Sequence, residues 1–528
     1  MADRQSRRDF LTFAGATGLA ATTSGPQSLA TSASAQAAKV ASAGGLEYQT
    51  VGQLVAALAA KQVSASELTD HCIKRIEVLD GQLKAVVVRD FERARAAARE
   101  ADAALARGER RPLLGLPMTV KESFNVAGLP TTWGFADSSW PVSNDAAAIT
   151  RLKAAGAVIL GKTNVPVALA DWQTFNPVYG TTNNPWDLAR TPGGSSGGGA
   201  AALAAGYVAL ELGSDIGGSL RTPPSFCGVF GHKPTHGLVP SRGHTPPRTE
   251  PLPREPDLAV VGPMARSAAD LGLALDLLAG PDEPNAVAYR LALPPPRHAD
   301  LKSFRVLVLD THPLLPTANS IRAALAGLSD QLARSGATIA HASPLLPDLA
   351  RMARTFVNLL MAFIGATVPL ETYREVQGAL AALPPEAADL GAERVRGMVL
   401  SHRDWLRTDY VRATVNQQWR DLFREWDVVV SPVMPTLAFP HDHSQPARMR
   451  RIEINGAVHS YGDQIVWGGI ANLTGLPATA VPIGRSDTGL PIGVQVLGPH
   501  LEDRTTLAFA QLIEREFGGF VPPPGYAT

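Results

Sequence analysis

The segment TPGGSSGGG, residues 191–199, and the segment GSDIGGSLR, residues 213–221, decide how this chain of 528 residues is interpreted. Each places a serine, Ser195 or Ser219, among glycines, and glycine lets backbone amides approach a reacting atom closely. A third segment, LPMTVKESF at 116–124, places Lys121 directly after a short apolar run that predicts a buried strand. Two serines and a strand-end lysine together indicate acyl-transfer chemistry, with the lysine as a base.

The chain around these segments alternates between strand and helix. Predicted strands lie at 85–88, 115–120, 157–160, 208–212, 304–309, 337–340, 427–432, 478–481 and 492–497. Predicted helices lie at 50–62, 64–79, 90–107, 145–155, 198–205, 321–334 and 463–473. Such alternation predicts an α/β layered fold. Residues 346–426 differ, because long helical stretches there predict a helical region that covers the substrate.

Composition limits the class of ligand. The 48 basic and 48 acidic residues give a formal net charge of zero, so neither a nucleic-acid footprint nor a polybasic membrane patch is implied. A small molecule is therefore the expected ligand. Hydrophobic residues make up 45% of the chain, enough for a packed core, yet no internal run approaches ~18 apolar residues. The chain that follows the N-terminal segment is therefore not expected to insert into a membrane.

Residues 1–37 resemble a twin-arginine export signal. The pair Arg7-Arg8 precedes an apolar stretch at 10–21, and small residues at 33–37 suit a signal peptidase. This order predicts export to the periplasm or the exterior. The alternative is a disordered N-terminal extension with a chance arginine pair. Cys72 and Cys227 are too few for a disulfide framework and are expected to be small buried hydrophobes.

Two motifs compete with the acyl-transfer interpretation. GAVILGKT at 156–163 matches a phosphate loop, but its four inner residues read as an apolar strand preceded by a helix. GSSGG at 194–198 matches a nucleophile elbow, but Pro192 and Gly193 interrupt the strand that such an elbow needs. Pro234 rules out a shared helical face for His232 and His236, and His441 and His443 are expected to lie in a solvated loop, with adventitious metal binding as the alternative. The sequence predicts no metal and no cofactor.

Taken in their order along the chain, at 116–124, 191–199 and 213–221, the three opening segments resemble the motifs of the amidase signature family. Further matches, which extend the resemblance over about residues 46–520, are 156–164, 227–235, 262–266, 472–477 and 489–495. The resemblance implies a single domain in which a twisted, mixed β-sheet is surrounded by α-helices. It also implies an amidase with a Ser-cisSer-Lys triad. Ser219 is then the nucleophile, Ser195 the bridging serine that follows a cis peptide and relays the proton, and Lys121 the base, kept neutral by burial.

Supporting roles follow from the same resemblance. The backbone amides of Ile216, Gly217, Gly218 and Ser219 are expected to form the oxyanion hole. Arg221 is expected to anchor the nucleophile's neighbourhood, with a surface ion pair as the alternative. Asp215 supports the site or forms only a local turn, and Ser196 either bonds Lys121 or shapes its loop. Independently of the resemblance, apolar side chains offer candidate pocket walls that favour an apolar or aromatic substrate, with plain core packing as the alternative for each: Trp133, Phe135, Phe175, Ile465 and Trp467.

The substrate stays open at this stage. Members of the family act on amides, ureas, carbamates and some esters, and many are homodimers, so the triad defines a bond class only. One alternative is the glutaminase subunit of a transfer-RNA amidotransferase, against which the export signal argues. Another is a periplasmic ligand-binding protein without catalysis, against which the intact Lys121, Ser195 and Ser219 argue.

Overall fold

A computed structural model describes residues 45–138 and 140–527. The predicted export signal at 1–37 lies outside these residues. The α-helices are α1 (Val51–Ala59), α2 (Ala65–Leu83), α3 (Phe91–Ala106), α4 (Ala147–Ala154), α5 (Gly197–Ala204), α6 (Thr222–Cys227), α7 (Ala268–Leu278), α8 (Glu283–Ala286), α9 (Asn319–Arg334), α10 (Leu349–Gly365), α11 (Leu370–Ala381), α12 (Leu390–Met398), α13 (His402–Glu425), α14 (Ile465–Thr474) and α15 (Asp503–Phe517).

The strands are β1 (Val86–Arg89), β2 (Pro117–Lys121), β3 (Val158–Thr163), β4 (Phe175–Asn176), β5 (Gly180–Thr181), β6 (Leu210–Asp215), β7 (Phe230–Lys233), β8 (Val260–Ala265), β9 (Arg305–Val308), β10 (Thr338–Ala340), β11 (Val428–Pro432), β12 (Arg451–Ile454), β13 (Ala457–Ser460), β14 (Ala478–Arg485) and β15 (Pro491–Leu497). One sheet of eleven strands has the order β1-β3-β2-β6-β8-β7-β14-β15-β11-β9-β10. Strand β2 runs parallel to β3 and β6, whereas β8, β7, β14, β15 and β11 alternate in direction. The predicted α/β class with a mixed sheet is confirmed.

Local sequence explains several of these elements. Ser64 and Glu67 form the predicted capping box at the start of α2, with each side chain accepting from the other residue's backbone amide. All six residues of β3 are buried, so the segment that matches a phosphate loop is a core strand. Helix α5 packs unusually close to its neighbours, since a Cβ on Gly198 would lie 2.4 Å from the Asn164 nitrogen. Glycine is therefore needed at that position.

The core has two parts. One lies against the sheet and contains Val120 and Leu212 from neighbouring strands. The other is built around α10, α13 and α14 and contains Phe356, Trp419 and Trp467. Residues 349–425 are mostly helical, as the sequence predicts for this region, while its covering role stays a prediction.

Cys72 and Cys227 are both buried and unpaired in the structure. Burial raises the pKa of each thiol, that of Cys72 to about 12. Both behave as small apolar side chains, as predicted. Within residues 45–138 and 140–527, no helix combines the length and apolarity needed to cross a bilayer.

Candidate active site

Two parallel strands bring the opening segments together. Lys121 is the last residue of β2, and Asp215 is the last residue of the adjacent strand β6. Parallel neighbours end at the same edge of a sheet, so the residues that follow β6, including Ser219, lie beside Lys121. The loop that carries Ser195 precedes α5, which packs against both strands.

A continuous chain of hydrogen bonds joins the three predicted catalytic side chains. The Lys121 Nζ atom donates to Ser195 Oγ at 2.7 Å, and Ser195 Oγ donates to Ser219 Oγ at 3.0 Å. The peptide bond between Gly194 and Ser195 is cis, as the resemblance implies. Ser195 therefore lies between the amine and the second hydroxyl, in the position of a proton relay.

The environment of Lys121 suits a proton acceptor. Its side chain is fully buried, and its amine also donates to Ser214 Oγ at 3.0 Å. Burial lowers the pKa of Lys121 to about 7, although the negative charges of Asp215 and Glu211 raise it. A substantial fraction of the amine is therefore neutral near neutral pH.

Ser196 does not bond Lys121. Its hydroxyl donates to the Ser214 carbonyl oxygen at 3.3 Å, and the residue is the N-cap of α5 without a capping side-chain bond. Of the two alternatives left open by the sequence, the geometry favours a role in shaping the loop. The elbow interpretation of GSSGG is also excluded, since no strand of the structure precedes Ser196 directly.

A buried ion pair holds the turn that carries Ser219. Asp215 accepts from the amides of Gly218 at 2.8 Å and Leu220 at 2.9 Å, and Arg221 Nη2 donates to its Oδ1 at 2.9 Å. Although burial raises the pKa of Asp215, the Arg221 charge and these bonds lower it to about 2. Arg221 is fully buried, so it is not the surface ion pair that the sequence left as an alternative.

Arg221 is itself held from two distant segments. It donates to Asn472 Oδ1 and Gln495 Oε1, each at 2.6 Å, and these residues lie 251 and 274 positions away in the chain. Both belong to segments that carry the family resemblance, but sequence reasoning gave them no role. The same holds for Ser214, which lies inside GSDIGGSLR. Their position inside these matching segments is the one sequence signal that could have found them. Their contacts with Arg221 and Lys121 depend on how the strands pair.

The predicted oxyanion donors are not equivalent. The Gly218 amide already donates to Asp215, so including it among the free donors needs correction. Within the described chain, the amides of Ile216, Gly217 and Ser219 have no acceptor. Gly218 has φ of +119°, a conformation that favours glycine and turns the chain at this point.

The predicted pocket residues lie in different surroundings. Ile465 lies beside Gly217, where an added Cβ would lie 3.3 Å from its Cδ1 and 3.9 Å from Phe356 Cζ. Trp133 is half-buried and packs on the ring of His244, with centroids 5.2 Å apart. Ile465 therefore borders the turn that carries Ser219, and Trp133 lies beside the segment that follows Lys121, since its indole nitrogen donates to the Ser123 carbonyl at 3.1 Å.

The remaining three predicted walls have other partners. Phe175 stacks on His443 with a centroid separation of 3.8 Å. Phe135 is 38% exposed. Trp467 is fully buried, and its indole nitrogen donates to Thr317 Oγ1 at 3.3 Å, so its side chain packs within the core.

The histidines considered for metal binding have ordinary partners or none. His232 bonds Thr479 Oγ1 at 2.9 Å and Asp503 Oδ1 at 3.2 Å from its two ring nitrogens. His443 stacks on Phe175 and lies beside His441. Strand β7 carries His232 into the sheet, away from His236 in the following turn.

Comparison with known proteins identifies the family. A family model described as Amidase matches residues 67–507. The chain belongs to the amidase signature family. It is accordingly an amide-hydrolysing enzyme, which removes support for the alternative of a non-catalytic binding protein.

Individual relatives of this amidase signature chain carry different names. A protein of Anaeromyxobacter sp. (strain K), named as one of the subunits of glutamyl-tRNA(Gln) amidotransferase, is 35% identical over 497 residues, covering 89% of this chain and 96% of the relative. AmiB2 of Mycobacterium bovis, named as an amidase, is 34% identical over 472 residues, covering 87% and 94%. A solved structure from a vestigial protein complex, described as revealing the evolutionary origins of an s-triazine catabolic enzyme, is 30% identical with a TM-score of 0.72, covering 88% of this chain and 98% of that one.

Proposed function

We propose that this enzyme hydrolyses the carbon–nitrogen amide-type bond of a small molecule through an acyl-enzyme formed on Ser219. The observation that carries the proposal is the chain of hydrogen bonds from Lys121 through Ser195 to Ser219. A serine hydroxyl is a weak nucleophile until a base removes its proton. The buried amine of Lys121 supplies that base through one intervening hydroxyl.

Each proton has a defined path in the proposed reaction. When Lys121 is neutral, the direction of both bonds reverses, with the Ser219 hydroxyl donating to Ser195 and the Ser195 hydroxyl donating to Lys121. Ser219 Oγ attacks the carbonyl carbon, its proton passes to Ser195 Oγ, and the Ser195 proton passes to Lys121 Nζ. Ser195 Oγ then donates a proton to the leaving nitrogen as its bond to carbon breaks, and Lys121 Nζ returns its proton to Ser195 Oγ. Water attacks the resulting ester by the same route, releases the acid and restores Ser219.

The turn after β6 supplies donors for the developing negative charge. The amides of Ile216, Gly217 and Ser219 have no intramolecular acceptor within the described chain, whereas that of Gly218 is engaged with Asp215. Backbone donors fixed before reaction stabilise an oxyanion without reorganising. The Asp215–Arg221 pair keeps this turn in place.

The part of the active site that contacts the substrate near the scissile bond is proposed to be apolar. Ile465 and Phe356 lie within van der Waals range of the space above Gly217. Their contacts support amides with an apolar or aromatic substituent, and carbamates or esters of similar shape. The proposal also includes a homodimer, and its only basis is that many members of the family are homodimers.

Fluorophosphonate labelling tests the nucleophile. We expect the wild-type enzyme to be labelled and Ser219→Ala not to be labelled. Ser225→Ala is a matched control, because Ser225 is 7% exposed like Ser219 and lies in α6, and its hydroxyl donates only to the Gly493 carbonyl among the described residues. Equal labelling of wild type and Ser219→Ala would remove the proposed mechanism. A hydrolysis screen over anilides, primary amides, carbamates, ureas and esters then identifies the bond.

A second candidate is the glutaminase activity of a transfer-RNA amidotransferase. It is favoured by the 35% identity with a protein of that name over 89% of this chain. L-glutamine belongs in the same screen. Turnover of glutamine above all other amides, together with co-purification of partner subunits from the host, would favour this candidate over a free-standing amidase.

Export is a separate proposal that rests on the first 37 residues. The arginine pair, the apolar stretch and the small residues follow one another in the order of a twin-arginine signal. Mass spectrometry of the mature N-terminus from the native host tests it. We expect processing between residues 33 and 38 and recovery outside the cytoplasm; an intact N-terminus recovered in the cytoplasm would refute it.

A further inference from the structure

Glu211 is a fully buried carboxyl group on the strand beside Lys121. Strands β2 and β6 are parallel, with Thr119 opposite Glu211 and Val120 opposite Leu212. Side chains alternate along a strand, so Thr119, Lys121 and Glu211 project to the same face of the sheet. The acid and the amine are therefore neighbours in one buried layer.

In the part of the chain that the structure describes, the donors to this carboxyl are hydroxyl groups. Thr163 Oγ1 donates to Oε1 at 2.7 Å, and Thr119 Oγ1 donates to Oε2. Within the described residues, no cation lies at ion-pair distance from Glu211. The first turn of α5 covers it, since a Cβ on Gly199 would lie 2.6 Å from Glu211 Cγ. The group is thus sealed from solvent without a neutralising partner in contact.

Among the described residues, the titratable groups that interact electrostatically with Lys121 are Asp215, Glu211 and His244, and two of them keep one charge state near neutral pH. Asp215 stays negative, because the Arg221 charge and backbone donors overcome the effect of burial and lower its pKa to about 2. His244 stays neutral, because burial and the Lys121 charge lower its pKa to about 3. Burial raises the pKa of Glu211 to about 8, against the opposing influence of the two threonines and Lys121. Glu211 alone changes charge close to the range in which Lys121 does.

We propose that Glu211 is a positioning residue that acts through Lys121, as the ionisable neighbour that sets the pH range in which the lysine accepts a proton from Ser195. The inference rests on the proposed function, in which Lys121 is the base. Glu211 makes and breaks no bond to the substrate. A negative carboxylate favours the protonated lysine, whereas a protonated carboxyl favours the neutral lysine, so the two groups titrate as a pair.

The variant Glu211→Gln tests this coupling. Glutamine keeps the size of the side chain and accepts at least one threonine hydroxyl bond, but it carries no charge at any pH. The readout is the rate of fluorophosphonate labelling of Ser219 between about pH 5 and 10, which needs no known substrate. Because part of Glu211 is already protonated on the acid limb, we expect the acid midpoint to move down by up to about one pH unit and the limb to become steeper.

A second variant and a control keep the test specific. Thr163→Val removes a donor that stabilises the carboxylate, so we expect a smaller shift in the same direction. Glu514→Gln removes a carboxyl whose pKa is raised by burial to about 7, but which lies on α15 and accepts from the Ala268 amide. We expect its midpoint to equal that of the wild type.

The possible results distinguish a failure of the Glu211 coupling from a failure of the proposed function on which it rests. If Lys121→Ala is labelled as fast as the wild type, the proposed role of the lysine fails. If labelling depends on Lys121 and Ser219 but Glu211→Gln keeps the wild-type midpoint, the coupling alone is refuted. A uniform loss of rate at every pH without a shift would assign Glu211 to packing only. An equal shift in Glu514→Gln would also overturn the proposal.

Discussion

Ser195 Oγ and Ser219 Oγ lie 3.0 Å apart, although 24 residues separate them in the chain. Helix α5 leaves the loop of Ser195, and strand β6 returns to the same edge of the sheet beside Lys121. The serines are therefore brought together by a helix and a strand that are both buried throughout. A rigid frame of this kind fixes the relay geometry before any substrate binds.

Replacing Lys121 by alanine tests its role as the base. We expect amide hydrolysis to fall by at least ~10²–10⁴-fold, because general-base assistance to Ser219 is lost. Steady-state kinetics on a substrate from the hydrolysis screen measures the change, and circular dichroism checks that the variant is folded. Near-normal turnover by a folded variant would remove Lys121 from this role.

The wild-type enzyme should become more active as the pH rises through about 7. Burial lowers the pKa of Lys121 to about 7 from its ordinary value of 10.5, so the neutral amine is the minority form below that pH and the majority form above it. We expect kcat/KM to increase on the acid limb by less than the roughly tenfold per pH unit of a single uncoupled group and to level off above it. The coupling to Glu211 broadens this limb. A profile that is flat between about pH 5 and 9 would contradict the assignment.

Breaking the ion pair between Asp215 and Arg221 should destabilise the fold as well as the site. The variant Asp215→Asn leaves Arg221 buried without its counter-charge, and the loss of one partner from such a pair costs about 3–5 kcal/mol. Denaturant unfolding measures this change in the free energy of unfolding. Asp276→Asn is the matched control, because Asp276 pairs with Arg504 at 2.9 Å on an exposed surface and should change stability by less than about 1 kcal/mol. Equal effects of the two variants would refute the structural role.

The stabilisation by Asp215 should persist in acid. Its folded pKa is depressed to about 2 from 3.8, so the contribution is fully present above about pH 4 and is lost as the pH falls through about 2. The free energy of unfolding of the wild type measured between pH 2 and 5 should therefore decline more than that of Asp215→Asn. Parallel curves for the two proteins would contradict the low pKa.

The sequence predicted the strand that ends at Lys121, but it placed the end of the strand before Ser219 at 212 rather than at Asp215, and it did not show how the sheet is assembled. The strand before Lys121 and the helix after Ser195 follow from apolar and small-residue runs, and both are present. Strand β8 was not predicted, because Pro263 interrupts its run and proline is unusual in a central strand. Pro263 nevertheless lies opposite Leu212 of β6, in the middle of the sheet.

Contacts between distant segments were also beyond the sequence. Nothing in local patterning places Gln495 against Arg221 across 274 residues, since that contact depends on the order of strands in the sheet. Likewise, the register of β2 with β6, which brings Glu211 beside Lys121, is a tertiary property. The order of the motifs predicted the candidate catalytic side chains, whereas the groups that lie around them depend on how the strands pair.

The two glycines before Ser219 should respond differently to alanine. At Gly217 an added Cβ would lie 3.3 Å from Ile465 Cδ1, the end of a flexible side chain, and the backbone has no positive φ. At Gly218 the φ of +119° is strained for any side chain, and the Cβ would lie 2.8 Å from Thr222 Oγ1. We expect Gly218→Ala to lose about 10²-fold or more in kcat, because the turn that supplies the oxyanion donors is displaced.

Gly217→Ala should instead act on specificity. It narrows the space beside Ile465, so we expect KM to rise several-fold for the bulkier acyl groups of the hydrolysis screen while small amides keep kcat within about threefold. Comparing kcat and KM for a small and a large substrate in both variants distinguishes the effects. If Gly218→Ala were the milder change, the turn after β6 would not be the oxyanion site. If Gly217→Ala affected all substrates alike, Ile465 would not border the acyl group.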